Sequence, residues 1–420
     1  MGGYPSAVLR TLRNRDFALL ISGQAVSQVG DGIFGIALAW RVYQSYSSPA
    51  ALSVVGIAYF VPRLVVTIAG GVLSDRFERR WTMVVADVGR AVAVAGLAAI
   101  SLNPRGELVA IVILVAINGV AGSLFGPAES ALLPEIVRPE ELGQANSLRT
   151  IVSPIAWSVV GPALGGALIA NFGTAAAFWT DSATFVVGIA ALLLMRPRPL
   201  IKGIEHASVF AEARQGIAYV ASRPWLWAPI VASSLAQFLY AGPNQALVPY
   251  MVKFELHASA AALGLVFTAG GLGTVAAGLL MGRVARPRHT IVTMVLGWAL
   301  GIASLAGVGL AHTVWQAALA VFVWNLLLWS GEILWLTLLG LTIPNHIRGR
   351  VSSIDFLGSY WMIPLSMALT GPVAALVGPR TVLIGAGLGG AIAVSLTLAV
   401  PGVRRPQYLS QEPPQVLSTG

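Results

Sequence analysis

Asp31 stands in the middle of an apolar run, with Gln24 seven residues and Gln28 three residues before it. Seven residues nearly complete two helical turns, so on a helix the three share one face. The pattern recurs with Asn325 and Glu332, and again with Gln237 and Asn244 on either side of Tyr240. Asn118 and Glu129 add polar groups to a further apolar run, and Arg63 and Arg90 lie deep in two others. Ionisable groups in such surroundings are costly to keep and mark ion or ligand paths. A proton and a cation can compete for one carboxylate, which is the minimal chemistry of exchange. Asp31 is the leading candidate for that proton, with Glu332 second. The alternative is a packing role, with Asp31 held by Gln24 or Gln28. Arg90 has Asp87 three residues earlier, a spacing that permits a self-neutralising pair. Arg63 has no acidic residue within four positions, which leaves it to pair with Asp31 or to meet an anion.

The elements that position these residues follow from composition. Of 420 residues 56% are hydrophobic and 10% are charged, whereas a soluble domain carries roughly 25% charged residues. A soluble enzyme is therefore excluded. The chain has no cysteine, which excludes disulfides, thiolate metal sites and a cysteine nucleophile. A membrane helix needs about 20 apolar residues. Twelve such stretches lie near 16–44, 50–73, 81–101, 107–133, 147–171 and 174–195, then 225–250, 258–282, 289–310, 313–343, 351–376 and 380–400. They are too long and too uniformly apolar for barrel strands. The expected fold class is all-α and polytopic. The first run carries Arg10, Arg13 and Arg15 without a cleavage pattern and is not read as a signal peptide.

Twenty cations fall on one side of this arrangement and four, Arg41, Arg105, Lys253 and Arg380, on the other. The positive-inside rule then puts both termini in the cytoplasm. The net charge of +9 is topological, and no clustered cations on a water-facing element suggest nucleic acid. The connection 196–224 divides the helices six and six, giving bundles over 1–195 and 225–400, and a Pro-rich tail over 401–420 is read as disordered. Within the connection, SVFAEARQGIAYVASR has the spacing of a helix lying at the cytoplasmic surface. Gly161-Pro162 recurs as Gly371-Pro372 and Pro134 as Pro344, each shifted by 210. Duplicated halves place a substrate site near the midplane between them.

Two motifs carry a family resemblance. Gly70-Gly71-Val72-Leu73-Ser74-Asp75-Arg76-Phe77-Glu78-Arg79-Arg80 looks like the loop signature G-x-L-x-D-R-x-G-R-R of the major facilitator superfamily. Gly161-Pro162-Ala163-Leu164-Gly165-Gly166 resembles the superfamily's helix-5 antiporter motif. The resemblance covers essentially the whole chain and is nearest to exporters grouped with enterobactin and macrolide efflux proteins, through Glu78 and the run LPEIVRPEELGQANSL. Glu78 replaces the usual loop Gly, Trp157 stands where the antiporter motif begins, and Asn118 lies where the superfamily places a buried Arg.

The resemblance implies two pseudo-symmetric six-helix bundles that rock about a central cavity lined by helices 1, 4, 7 and 10. It also implies that the loop around Gly71, Asp75, Arg76, Arg79 and Arg80 latches the halves through acids on helices 4 and 11, here Glu129 and Asp355. Gly161, Pro162, Gly165 and Gly166 would mark export. Arg63, Asn118, Gln24, Gln28, Gln237, Tyr240, Asn244 and Asn325 become cavity candidates. The expected partners are a small-molecule substrate, protons and the bilayer, with a monomer in the inner membrane. No cofactor or metal is expected: Gly385, Gly387 and Gly390 have dinucleotide-motif spacing but no following βαβ unit. An exporter of drugs, macrolides or siderophores is the leading reading, with an uptake symporter or a non-transporting sensor as alternatives.

Overall fold

The computed structural model describes residues 11–74, 78–103, 108–196, 209–283, 287 and 289–404, and the side chains of these except 67–74 and 209–213. Asp75, Arg76 and the tail beyond 404 lie outside the described residues. Every described element is helical. We number the membrane helices α1 (Arg15–Ser45), α2 (Pro49–Ser74), α3 (Arg79–Ser101) and α4 (Leu108–Ile136). Helix Leu142–Pro154, a π-helical segment Ile155–Val160 and helix Gly161–Leu194 then run on until Gly173 breaks them. The two arms are α5 (142–172) and α6 (174–194). In the second half, α7 (224–255) contains the π-helical segments Pro243–Leu247 and Met251–Glu255. It is followed by α8 (Ala260–Met281), α9 (Thr290–Gly309), α10 (Val314–Thr342), α11 (Asn345–Val377) and α12 (Pro379–Ala399).

Local chemistry sets these limits. The Asn14 side chain accepts from the Asp16 and Phe17 amides and caps α1, while Thr313 and Gln316 close α10 with a reciprocal capping box. The α5–α6 and α11–α12 turns rest on Gly173 (φ 80°) and Gly378 (φ 86°), a backbone region that glycine alone adopts readily. The outer faces are apolar and bare, with Val92 at 65% and Leu279 at 62% exposure, as a lipid-facing surface requires. Nine helical spans among the described residues are long and apolar enough to cross a membrane, one of them covering both α5 and α6. The two membrane helices outside that set are α1 and α7, whose polar stripes lower their hydropathy.

The two bundles repeat one packing plan. In the first, α1 lies on α5 and α6, α2 on α4, and α3 on α4 and α6; in the second, α7 lies on α11 and α12, α8 on α10, and α9 on α10 and α12. Between bundles, α5 packs on α8 and α2 on the 363–377 part of α11. At the end opposite the termini Gly166 backs onto Gly264 and Gly371 onto Ala50. There the Tyr43 hydroxyl donates to the Ala246 carbonyl at 2.6 Å. Toward the other end, the 345–360 part of α11 leans on α7 and on the linker helix Val209–Ala221 instead. That linker helix falls within the stretch predicted to be amphipathic and docks Gly216 against Arg350 and Ile354. The far-side cations have local uses. Arg41 donates to the carbonyls of Ile100 and Asn103, and Arg380 pairs with Glu255 at 2.9 Å and donates to the carbonyls of Gly309 and Ala311.

Candidate functional site: an ion cluster and an aromatic pocket

The first site is built inside the N-terminal bundle. Arg90 of α3 forms an ion pair with Asp31 of α1. Its other nitrogen lies 3.5 Å from Asp87, and its guanidinium covers the Phe185 ring 4.2 Å from the centroid. Asp31 is thus held by Arg90, rather than by Gln24, Gln28 or Arg63. Asp87 provides only part of Arg90's compensation. Asp181 of α6, fully buried, joins the same electrostatic cluster. The Thr184 hydroxyl lies 3.5 Å from one of its oxygens, and the other oxygen has no hydrogen-bond partner. Gly30 of α1 faces Asp181 and Thr184 so closely that a Cβ there would collide with both. Two carboxylates, those of Asp31 and Asp87, therefore meet one guanidinium, and a third, that of Asp181, lies within reach of its charge. Sequence reasoning missed Asp181 because it lies outside the cavity-lining set, although an acid in an apolar helix was signal enough.

The neighbouring candidates have separate places. Gln24 reaches the Glu129 carboxylate, which also meets Arg149 at 2.8 Å. Gln28 is half-buried with its amide oxygen unpartnered, and Asn118 is buried with its oxygen likewise unpartnered. Arg63 is exposed, donates to the Tyr59 hydroxyl at 2.6 Å and lies 5.5 Å from that ring's centroid.

Among the described residues, the charged latch candidates each have a partner within their own bundle. Glu129 is bound by Arg149 and Gln24 of its own bundle. Arg79 pairs with Glu135, and Arg80 donates to the Met195 carbonyl at 2.6 Å. Asp355 accepts from the Trp335 indole at 3.1 Å within the C-terminal bundle. Gly71 lies within α2, while Asp75 and Arg76 are outside the described residues.

The helix-5 motif is a crossing point of backbones. Gly161 and Gly165 face α1 at Gly32 and Ile33, and Gly166 faces α8 at Ala260 and Gly264. Pro162 has no amide hydrogen to give the preceding turn, and that turn is the π-helical segment. Within that segment the Val159 carbonyl accepts from the Thr268 hydroxyl of α8 at 3.3 Å. Irregular backbone is tolerated at membrane depth where a neighbour satisfies it in this way.

The second site is a pocket within the C-terminal bundle that encloses about 660 Å3, its open mouth included. Gln237 and Tyr240 of α7, Trp329, Glu332 and Trp335 of α10, and Asp355 and Tyr360 of α11 all line it. Tyr240 meets Trp324 edge-on at 5.6 Å, and Trp335 meets Trp225 and Trp298 likewise at 6.3 and 6.1 Å. Trp225 is buried in this stack. Glu332 and Asp355, read from sequence as a proton site and a latch residue, are neighbours in one pocket. Asn325 turns away from it, donating to the Val321 carbonyl at 2.9 Å against Gly270 of α8. Asn244 lies in a π-helical segment of α7 and does not line the pocket.

Known proteins support the same assignment. The sequence model of the Major Facilitator Superfamily matches residues 20–367. The chain is 28% identical over 375 residues to the multidrug efflux pump Tap of Mycolicibacterium fortuitum, covering 85% of this chain and 88% of that protein. It is 26% identical over 407 residues to the enterobactin exporter EntS of Salmonella choleraesuis (strain SC-B67), covering 95% and 94%. Its fold resembles a bacterial homologue of the iron transporter ferroportin in the inward-facing state, with a TM-score of 0.72 at 15% identity over 92% of this chain and 99% of that one. Twelve helices in two repeated bundles, buried ionisable groups, and a family match over most of its length make this chain a multi-pass membrane transporter of the major facilitator superfamily.

Proposed function

We propose that the chain is a proton-coupled exporter of an amphipathic small molecule, working in the cytoplasmic membrane as a monomer with both termini in the cytoplasm. The observation that carries this reading is the pairing of Arg90 with Asp31 and Asp87, with the buried Asp181 packed against Gly30, one residue before Asp31. Protons can join and leave such a cluster while Arg90 keeps one carboxylate ionised, so the site changes charge without stranding a bare ion in the membrane. The named relatives Tap and EntS, an efflux pump and an exporter, support outward transport. The 20-to-4 division of cations supports the orientation. In that orientation the contacts of Tyr43, Gly166 and Gly371 lie at the outer end, which supports an inward-facing state ready to take substrate from the cell. Transport then proceeds by rocking 1–195 against 225–400, with the α5–α8 and α2–α11 contacts opening and closing.

The test is transport by everted vesicles with an imposed pH gradient. The parent chain accumulates substrate only with the gradient, and Asp31→Asn loses that dependence at unchanged expression. Gradient-driven accumulation by Asp31→Asn at the parent rate would refute the assignment, and accumulation only in right-side-out vesicles would make the protein an uptake carrier.

A further inference from the structure

We propose that the pocket containing Glu332 and Asp355 binds a lipophilic organic cation, at a site separate from the Asp31 cluster. This deepens the exporter reading and rests on it for the ligand's route across the membrane. Two acids face this pocket, and no Lys, Arg or His is among the residues that line it. Neither acid belongs to an ion pair with a described residue, whereas Asp31 has Arg90. The Trp335 indole satisfies one oxygen of Asp355 and adds no compensating charge.

The walls narrow the choice of cation. Trp329, Trp335, Tyr240 and Tyr360 supply aromatic surface around the carboxylates, and the negative faces of such rings attract a cation. A hard metal ion wants six or more oxygens, but no group of three metal-ligating side chains gathers among the described residues. A small hydrated ion gains nothing from indole walls, and an anion is repelled by both acids. A bulky cation with delocalised charge fits on every count. The pocket and Asp31 belong to different bundles, so proton and ligand need not compete for one carboxylate. Their coupling passes instead through the bundle contacts.

Binding of tetraphenylphosphonium to the purified full-length protein, read by tryptophan quenching and equilibrium dialysis, tests this. Tetraphenylborate, of the same shape and opposite charge, is the control. The cation is expected to bind, the borate to bind at least tenfold more weakly, and Glu332→Gln and Asp355→Asn each to weaken the cation by about tenfold, the loss of one desolvated charge contact. Equal binding of cation and borate by the parent chain overturns the proposal even if the variants do not fold. Unchanged cation binding by a folded Glu332→Gln, Asp355→Asn double variant overturns it as well. Intact binding with gradient-independent export would sink the proton reading and leave this site standing. Coupled export with charge-indifferent binding would do the reverse.

Discussion

Replacing Arg90 by glutamine removes the cation shared by Asp31, Asp87 and Asp181 while keeping much of the side chain's length. The Arg90 side chain is 11% exposed and that of Asp31 is 29% exposed, so the pair is largely but not fully desolvated. Breaking a fully buried pair costs about 3–5 kcal/mol, and a single charged hydrogen bond contributes about 1.5–3 kcal/mol. The partial exposure of Asp31 places Arg90→Gln near the lower bound of the first range, about 3 kcal/mol. Asp31→Asn alone removes the better-exposed partner and is expected to cost about 2 kcal/mol. Together the two should cost about 1.5 kcal/mol less than their sum, because Asp31→Asn removes a charge that Arg90→Gln would strand. Full rescue is not expected, since Asp87 and Asp181 keep their carboxylates. The assay is unfolding by sodium dodecyl sulfate titration in mixed micelles, followed by tryptophan fluorescence for the parent, both singles and the double. Additivity within about 0.5 kcal/mol would show that the two residues do not act as a pair and would remove the basis of the cluster.

Three further outcomes follow from other parts of the molecule. Tyr43→Phe removes the 2.6 Å bond to the Ala246 carbonyl between bundles, worth about 1 kcal/mol; a roughly fivefold shift away from the state closed at that end should appear as slower labelling of a single cysteine placed in the inward-open cavity. The chain has no cysteine of its own, so Ala50→Cys with Gly371→Cys can be read without background. A Cβ on Gly371 would lie 2.8 Å from that of Ala50, so the helices must part by about 1 Å to reach disulfide spacing, after which oxidation should cross-link α2 to α11 and arrest transport until reduction. Gly173→Ala should destabilise by about 1–3 kcal/mol through backbone strain alone, because φ is 80° and nothing lies within 4 Å of the added methyl; unchanged thermal unfolding would contradict that account.

The helices and their duplication were legible because membrane burial writes itself into hydropathy, and glycine and proline punctuate the turns. The predicted 313–343 helix needed only the capping box at Thr313 to fix its start. What stayed hidden was lateral pairing. Arg90 and Asp31 are 59 residues apart, and helical periodicity assigns a face without naming the helix opposite it. Asp87 drew attention because it precedes Arg90 by one turn, yet the tighter pair is with α1. Glu332 and Asp355 received different roles for the same reason: they sit on different helices that converge only once α10 and α11 pack around one pocket. Asn325 matched the polar spacing but contributes to α8–α10 packing, since an amide can satisfy itself on a carbonyl of its own helix.

Where the backbones of the two bundles come nearest one another the residues are small, with Gly166 against Gly264 and Gly371 against Ala50. Interlocked leucines would have to unseat one another before one bundle could roll, and each rotamer change would add to the barrier. Bare backbones present no such teeth. The contact works as a plain bearing: it fixes how close the bundles come and leaves their tilt nearly free, so the charge state of a few carboxylates suffices to choose which end is open.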